Sequence, residues 1–173
     1  MNLSEKMIAG LNEQIGHEFK AKLQYLNIAA YFDSEDLPQL AQFFYQQASE
    51  EDMHAMKFVH YLIDADCAVK IPAIEQPKAD FEKAAETAVL SLEWEQTVTA
   101  QINALMQTAV DDQDHATQEF LRWFVTEQVE EEATMRTLQR TFQRAGDNLL
   151  WVEDFLARNP LGQPAANGQP AAA

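Results

Sequence analysis

One face of the stretch LAQFFYQQASEEDMHAMKFVHY, Leu40 to Tyr61, constrains the fold more than any other feature of the chain. Taken at alternating steps of four and three, Leu40, Phe44, Gln47, Glu51, His54, Phe58 and Tyr61 share one side of an amphipathic helix. The ends of that side are apolar and its middle is not. Glu51 and His54 stand where a core wants leucine, and burying them unpaired would cost several kcal/mol each. Glu-x-x-His sets both side chains on one face, one turn apart, where they can share a metal ion. The same spacing also arises as a solvated pair, so this segment alone leaves both readings open.

Three more segments repeat the pattern. A first helix, capped by Ser4 and running to about Phe32, presents Leu11, Ile15, Glu18, Ala21, Tyr25, Ala29 and Phe32. The short connection DSEDLP, with Pro38 suited to a first helical turn, makes the first two helices antiparallel neighbours. After the second helix ends near Ala65, DCAVKIPAIEQPKAD has no periodicity and carries two prolines. It is too long for a turn and reads as a crossover that makes the third helix parallel to the second. Asp80 is a candidate cap for that helix, from about Phe81 to Val110, with the face Ala84, Ala88, Ser91, Glu95, Val98, Ile102, Leu105 and Ala109. Asp114 caps a fourth helix that Gly146 ends; its face is Leu121, Phe124, Gln128, Glu131, Met135, Leu138, Phe142 and Ala145. DNLLWVEDFLA is a short fifth helix, too apolar to be a free appendage, so it packs on the bundle or on another chain. The uncharged end of the chain, 160–173, is expected to be disordered. The fold class expected is all-α: a four-helix bundle with one long crossover and a short fifth C-terminal helix, forming one domain over 1–159.

Each apolar stripe is interrupted near its midpoint. Glu18, Glu51, Glu95 and Glu131 lie about 20 Å into their helices at about 1.5 Å per residue. Midpoints stay level whichever way a helix points. Four carboxylates, with His54 and Gln128 beside them, should therefore converge on one interior layer. A single such acid can be a satisfied core residue; four at one level in a dry core need cations. Hard oxygen ligands with one imidazole suit two ions of iron or manganese.

The composition agrees. A net charge of −16 argues against a phosphate backbone as partner, so no nucleic acid is expected, and it favours cations. No stretch approaches the roughly 20 apolar residues of a membrane span. The single cysteine, Cys67, excludes a disulfide framework. With no signal sequence visible at the N-terminus, a cytoplasmic protein is expected.

From Glu5 to Asn159 the chain resembles the non-haem bacterial ferritins. The residues that carry the resemblance are Glu18 and Tyr25, EEDMH (Glu50 to His54), Glu95 and EQVEE (Glu127 to Glu131). The turn YFDSEDLPQLA is especially similar to actinobacterial ferritins. The resemblance implies a ferritin-like fold and a di-iron centre. Glu18, Glu51 and His54 would hold the first iron, and Glu51, Glu95 and Glu131 the second. Glu51 would bridge the two, with Gln128 close to the second. Glu50, Glu127 and Glu130 match a third, outer iron site. It further implies oxidation of Fe(II) by O₂ or H₂O₂ and storage of a ferric mineral in a homo-oligomeric cage of about 24 chains. Tyr25 lies one heptad beyond Glu18 and faces the same interior. It reads either as a core aromatic with a bonded hydroxyl or, by the resemblance, as an electron donor.

Bacterioferritins differ at two points: they place Glu-x-x-His on the fourth helix too, where this chain has Gln128 and Glu131, and they bind haem through a methionine where this chain has Asp52. No haem ligation is expected there, and Met53 and Met56 read as packing residues. Rubrerythrin-like proteins need more cysteines. DNA-binding miniferritins usually lack a fifth helix and often carry basic tails. A di-iron carboxylate oxidase or oxygenase without storage remains open. A metal-free interaction bundle is disfavoured, since only Lys22 lies near the interior stripe. His17 and His60 lie off the stripes and read as surface or interface residues. Asp111, Asp112, Asp114 and Glu119 read equally as a solvated loop or an iron route.

Overall fold

A computed structural model describes residues 3–162. Five helices follow in order, α1 (Glu5–Ser34), α2 (Pro38–Asp64), α3 (Ala85–Asp111), α4 (His115–Ala145) and α5 (Leu149–Arg158), and no strand occurs among the described residues. Each boundary has a local cause. Ser4 accepts the Met7 N–H at 3.1 Å and opens α1; Asp114 accepts the Thr117 N–H at 3.0 Å and opens α4. Gly146, at φ 58°, supplies the left-handed residue that stops α4.

Helix α2 has Pro38 in its first turn but no side-chain cap of its own. Its free amides are met from the far end of the chain. The Glu153 carboxylate on α5 accepts the N–H groups of Gln39 and Leu40 at 2.9 and 2.8 Å. With Val152 and Leu156 buried against the same end of the bundle, α5 is docked rather than pendant.

The crossover is laid along α1 in register. Asn12 receives the Lys70 N–H and donates to the Ala68 carbonyl; Gly16 lies under Pro72; Lys20 pairs with Glu75; Gln24 exchanges two 2.8 Å bonds with the Lys78 backbone; and Tyr31 packs on Phe81. The chain is thereby carried back to the end of α1, so α3 runs parallel to α2, as the crossover predicts. One expected boundary is corrected: α3 begins at Ala85 rather than Phe81, and Asp80 does not cap it. Phe81 is held against the Tyr31 ring, so the chain must clear that contact before it can coil.

Two apolar clusters fill the bundle. One gathers Phe32, Phe44, Met135, Leu138 and Phe142, together with α5; the other gathers Met7, Leu11, Phe58, Ile102, Leu121 and Phe124. Between them lies the layer of Glu18, Glu51, His54, Glu95, Gln128 and Glu131, all buried. Met53 and Met56, expected as packing residues, lie outside both clusters and are 48 % and 37 % exposed. The expected disordered tail lies, over 163–173, outside the described residues. Leu161 just before it packs against the first cluster, so the packed chain continues past 159.

Candidate metal centre

Four helices each send one acid into the layer, and the two ends of the layer are held differently. At one end, a carboxylate oxygen of Glu18, a carboxylate oxygen of Glu51 and a ring nitrogen of His54 all lie within 4.8 Å of one another. Glu18 Oε2, Glu51 Oε2 and His54 Nε2 are buried without a hydrogen-bond partner. Orphaned polar atoms in a dry core are costly, and three ligand groups this close, each with one such atom and with Glu51 Oε2 3.4 Å from His54 Nδ1, fit a cation between them. At the other end, Glu95 is engaged by protein: the Tyr25 hydroxyl donates to one oxygen, and Gln128 Nε2 lies 3.2 Å from the other and from the Glu95 carbonyl. Glu95 is therefore fixed in place by neighbours rather than gathered with the three.

The electrostatics show what the layer lacks. Burial pushes Glu95 up to about 7 even though the bonds from Tyr25 and Gln128 pull it down. Burial, and then the negative charge of Glu95 and other acids nearby, holds Glu51 and Glu131 well above the usual carboxylate range. Glu18 is raised by burial and partly relieved by bonds involving Glu51 and Gln14. Without a cation all four acids are thus shifted toward their protonated forms. His54 moves the other way, down to about 4, through burial and the charge of Lys57, so at neutral pH its ring is an uncharged ligand.

A second trio, His54, Glu127 and Glu131, also has ligand atoms within 4.8 Å of one another, two of its members buried and Glu127 half-buried. Glu50 sits near it: burial and then the charge of Glu127 push its carboxyl up to about 7. Of the three residues expected at an outer iron site, Glu50 and Glu127 are thus neighbours. Glu130 is exposed and belongs to neither trio. The acids at the start of α4 have structural employment: Asp114 caps α4 and Asp112 accepts from Ser4 Oγ at 2.5 Å. His17 is half-buried and His60 exposed, as expected of residues off the stripes.

Gln14 was not anticipated. It is buried, and its Nε2 donates to Glu18 Oε1 at 2.9 Å, leaving Oε2 as the oxygen without a partner. The signal was present, because Gln14 lies four residues before Glu18 on the same face of α1. Trp123 is a second omission; its ring stands edge-on to His54 at 5.4 Å. No period in α4 marks it, since it lies beside the stripe and not on it.

The family profile described as Ferritin-like domain matches residues 8–145. Ferritin BfrB of Mycobacterium tuberculosis is 48 % identical over 168 residues, covering 97 % of this chain and 93 % of the relative. A bacterial non-heme ferritin of Staphylococcus aureus is 41 % identical over 146 residues, 84 % of this chain and 88 % of its own. Among solved structures, an open pore ferritin from the hyperthermophilic archaeon Archaeoglobus fulgidus superposes with a TM-score of 0.87 at 33 % identity, covering 91 % of this chain and 97 % of that one.

Proposed function

Because this chain belongs to the ferritin family and is an iron-storage protein of that family, we propose that its bundle centre is a ferroxidase that oxidises Fe(II) with O₂ or H₂O₂ before the ferric product is stored. The observation that carries this reading is the trio of Glu18, Glu51 and His54, whose ligand atoms lie within 4.8 Å of one another in a dry layer and each of which has a buried polar atom without a partner. Iron here is substrate and cargo. Fe(II) entering the trio takes the place of protons on the carboxylates, while His54 binds without giving one up. Glu51 bridges, Glu95 and Glu131 complete the second position, and Gln128 holds Glu95 in place. Tyr25 donates its hydroxyl proton to Glu95, so that carboxylate can receive the proton when the ring gives up an electron to the oxidant.

On this reading Glu50, Glu127 and Glu130 form an outer station that iron occupies on leaving the centre. The neighbouring trio of His54, Glu127 and Glu131 supports it by linking the two sites through shared residues. Asp52, where a haem-binding methionine would stand in bacterioferritins, is paired with Lys22 at 2.6 Å, in keeping with a centre that works without haem at that position. The protein acts as a homo-oligomeric cage of about 24 chains in the cytoplasm.

Stepwise Fe(II) addition in air, removal of unbound metal and counting of the iron left soluble with the protein tests the reading. Retention far beyond the few ions that side chains of one bundle can ligate is expected. Retention of about two or three per chain would keep the metal centre but replace storage by a di-iron oxidase. Retention of none would overturn the centre itself.

A further inference from the structure

The outward side of α2 carries chemistry that the iron centre does not use. Met53, Met56 and His60 follow one another at intervals of three and four residues, so they form one stripe along the helix. All three line a groove of about 390 Å³ between α2 and the first half of α4, with Phe120, Trp123 and Phe124 as its apolar wall. Methionine usually fills gaps in a core. Here two thioethers and an imidazole stand in the open in one cavity, and none of the three makes a hydrogen bond or ion pair among those of the described residues.

Thioether sulfur is a soft donor and imidazole a borderline one, a set that prefers Cu(I) to the hard ions that carboxylates collect. The same groove offers the face of an indole, which attracts cations. That face already attracts one cation: Lys57, which lines the groove, sets its Nζ over the Trp123 ring at 4.1 Å. Asp64 lies at the far end, and the protein as a whole carries a charge of −16. Nothing in this arrangement depends on the iron-storage reading.

We propose that this groove is a binding site for a soft monovalent cation, Cu(I), held by the sulfurs of Met53 and Met56 and a ring nitrogen of His60. The site is separate from the carboxylate trio. Two other groups on the chain compete for such an ion. Cys67 is a free, half-buried thiol just after α2, and His54 is an imidazole inside the iron centre.

The test is an oxygen-free titration of the full-length assembled Cys67→Ser protein with Cu(I) against a chromophoric chelator, repeated with Ag(I) as a redox-stable analogue. Binding of about one ion per chain is expected, weakened roughly tenfold or more by Met53→Leu with Met56→Leu and by His60→Gln. These variants should keep particle size and iron loading, which separates loss of the groove from loss of the fold. Unchanged affinity in the methionine variants would overturn the site. So would the absence of binding once Cys67 is replaced, or binding that is lost in His54→Gln and not in the methionine variants.

Discussion

Gln14 is a neutral side chain that decides how a charged one behaves. By donating to Glu18 Oε1 it leaves a single free oxygen, and the two-fold ambiguity of the carboxylate is resolved before any ion arrives. Gln14→Leu keeps the volume and removes the donor. The affinity of the centre for Co(II), followed by the absorption of the bound ion, should fall about 10- to 100-fold, as expected when a hydrogen bond to a ligand is lost. The helix content should stay unchanged. Glu18, Glu51, His54, Glu95, Gln128 and Glu131 were all legible because a buried polar residue breaks a hydrophobic period, and the break is visible without coordinates. Gln14 broke the same period but carries no charge, so it did not stand out. Trp123 and the open groove around Met53 and Met56 were not legible at all, because whether a residue beside a stripe meets a neighbour depends on the packing of α2 on α4.

Elements in this chain are fixed by residues distant in sequence. Glu153 does for α2 what Ser4 does for α1, from 113 residues away. Glu153→Ala should cost about 1 to 2 kcal/mol in chemical denaturation, the size of a lost cap. It should also loosen α5, which would be read as faster proteolysis at the C-terminal end. The crossover has its own tight point. A Cβ placed on Gly16 would lie 2.3 Å from Pro72 Cγ. Replacing a helical glycine by alanine ordinarily stabilises; here Gly16→Ala should destabilise by about 1 to 3 kcal/mol because the crossover must lift away. Sequence periodicity located the first, second, fourth and fifth helices well, since Ser4, Pro38, Asp114 and Asn148 mark their starts and Gly146 ends the fourth. It placed the third four residues early. Asp80 has the chemistry of a cap, but the Phe81–Tyr31 contact outweighs it, and no local pattern records a contact across that distance.

In the whole molecule the acids act together on stability. Glu95 and Glu50 hold protons up to about 7 in the folded chain, against 4.5 for an ordinary glutamate, and Glu18, Glu51 and Glu131 are shifted in the same direction. Between those two values the folded iron-free protein binds more protons than the unfolded chain, so its stability falls as pH rises from about 4.5 to about 7. His54 and His17, both lowered, pull the other way, but the carboxylates outnumber them. Melting temperatures of metal-free protein should therefore drop across that window, and saturating Zn(II) should remove the drop by supplying the missing positive charge. The apolar interior is two half-cores with this layer between them. The bundle is thus jointed at its waist, and on the ferroxidase reading proposed above the pin of the joint would be a metal ion taken from the surroundings. Stripping that pin leaves two blocks able to breathe against each other, and hydrogen exchange should quicken at the midpoints of the four long helices, the stretches that in an ordinary bundle open last.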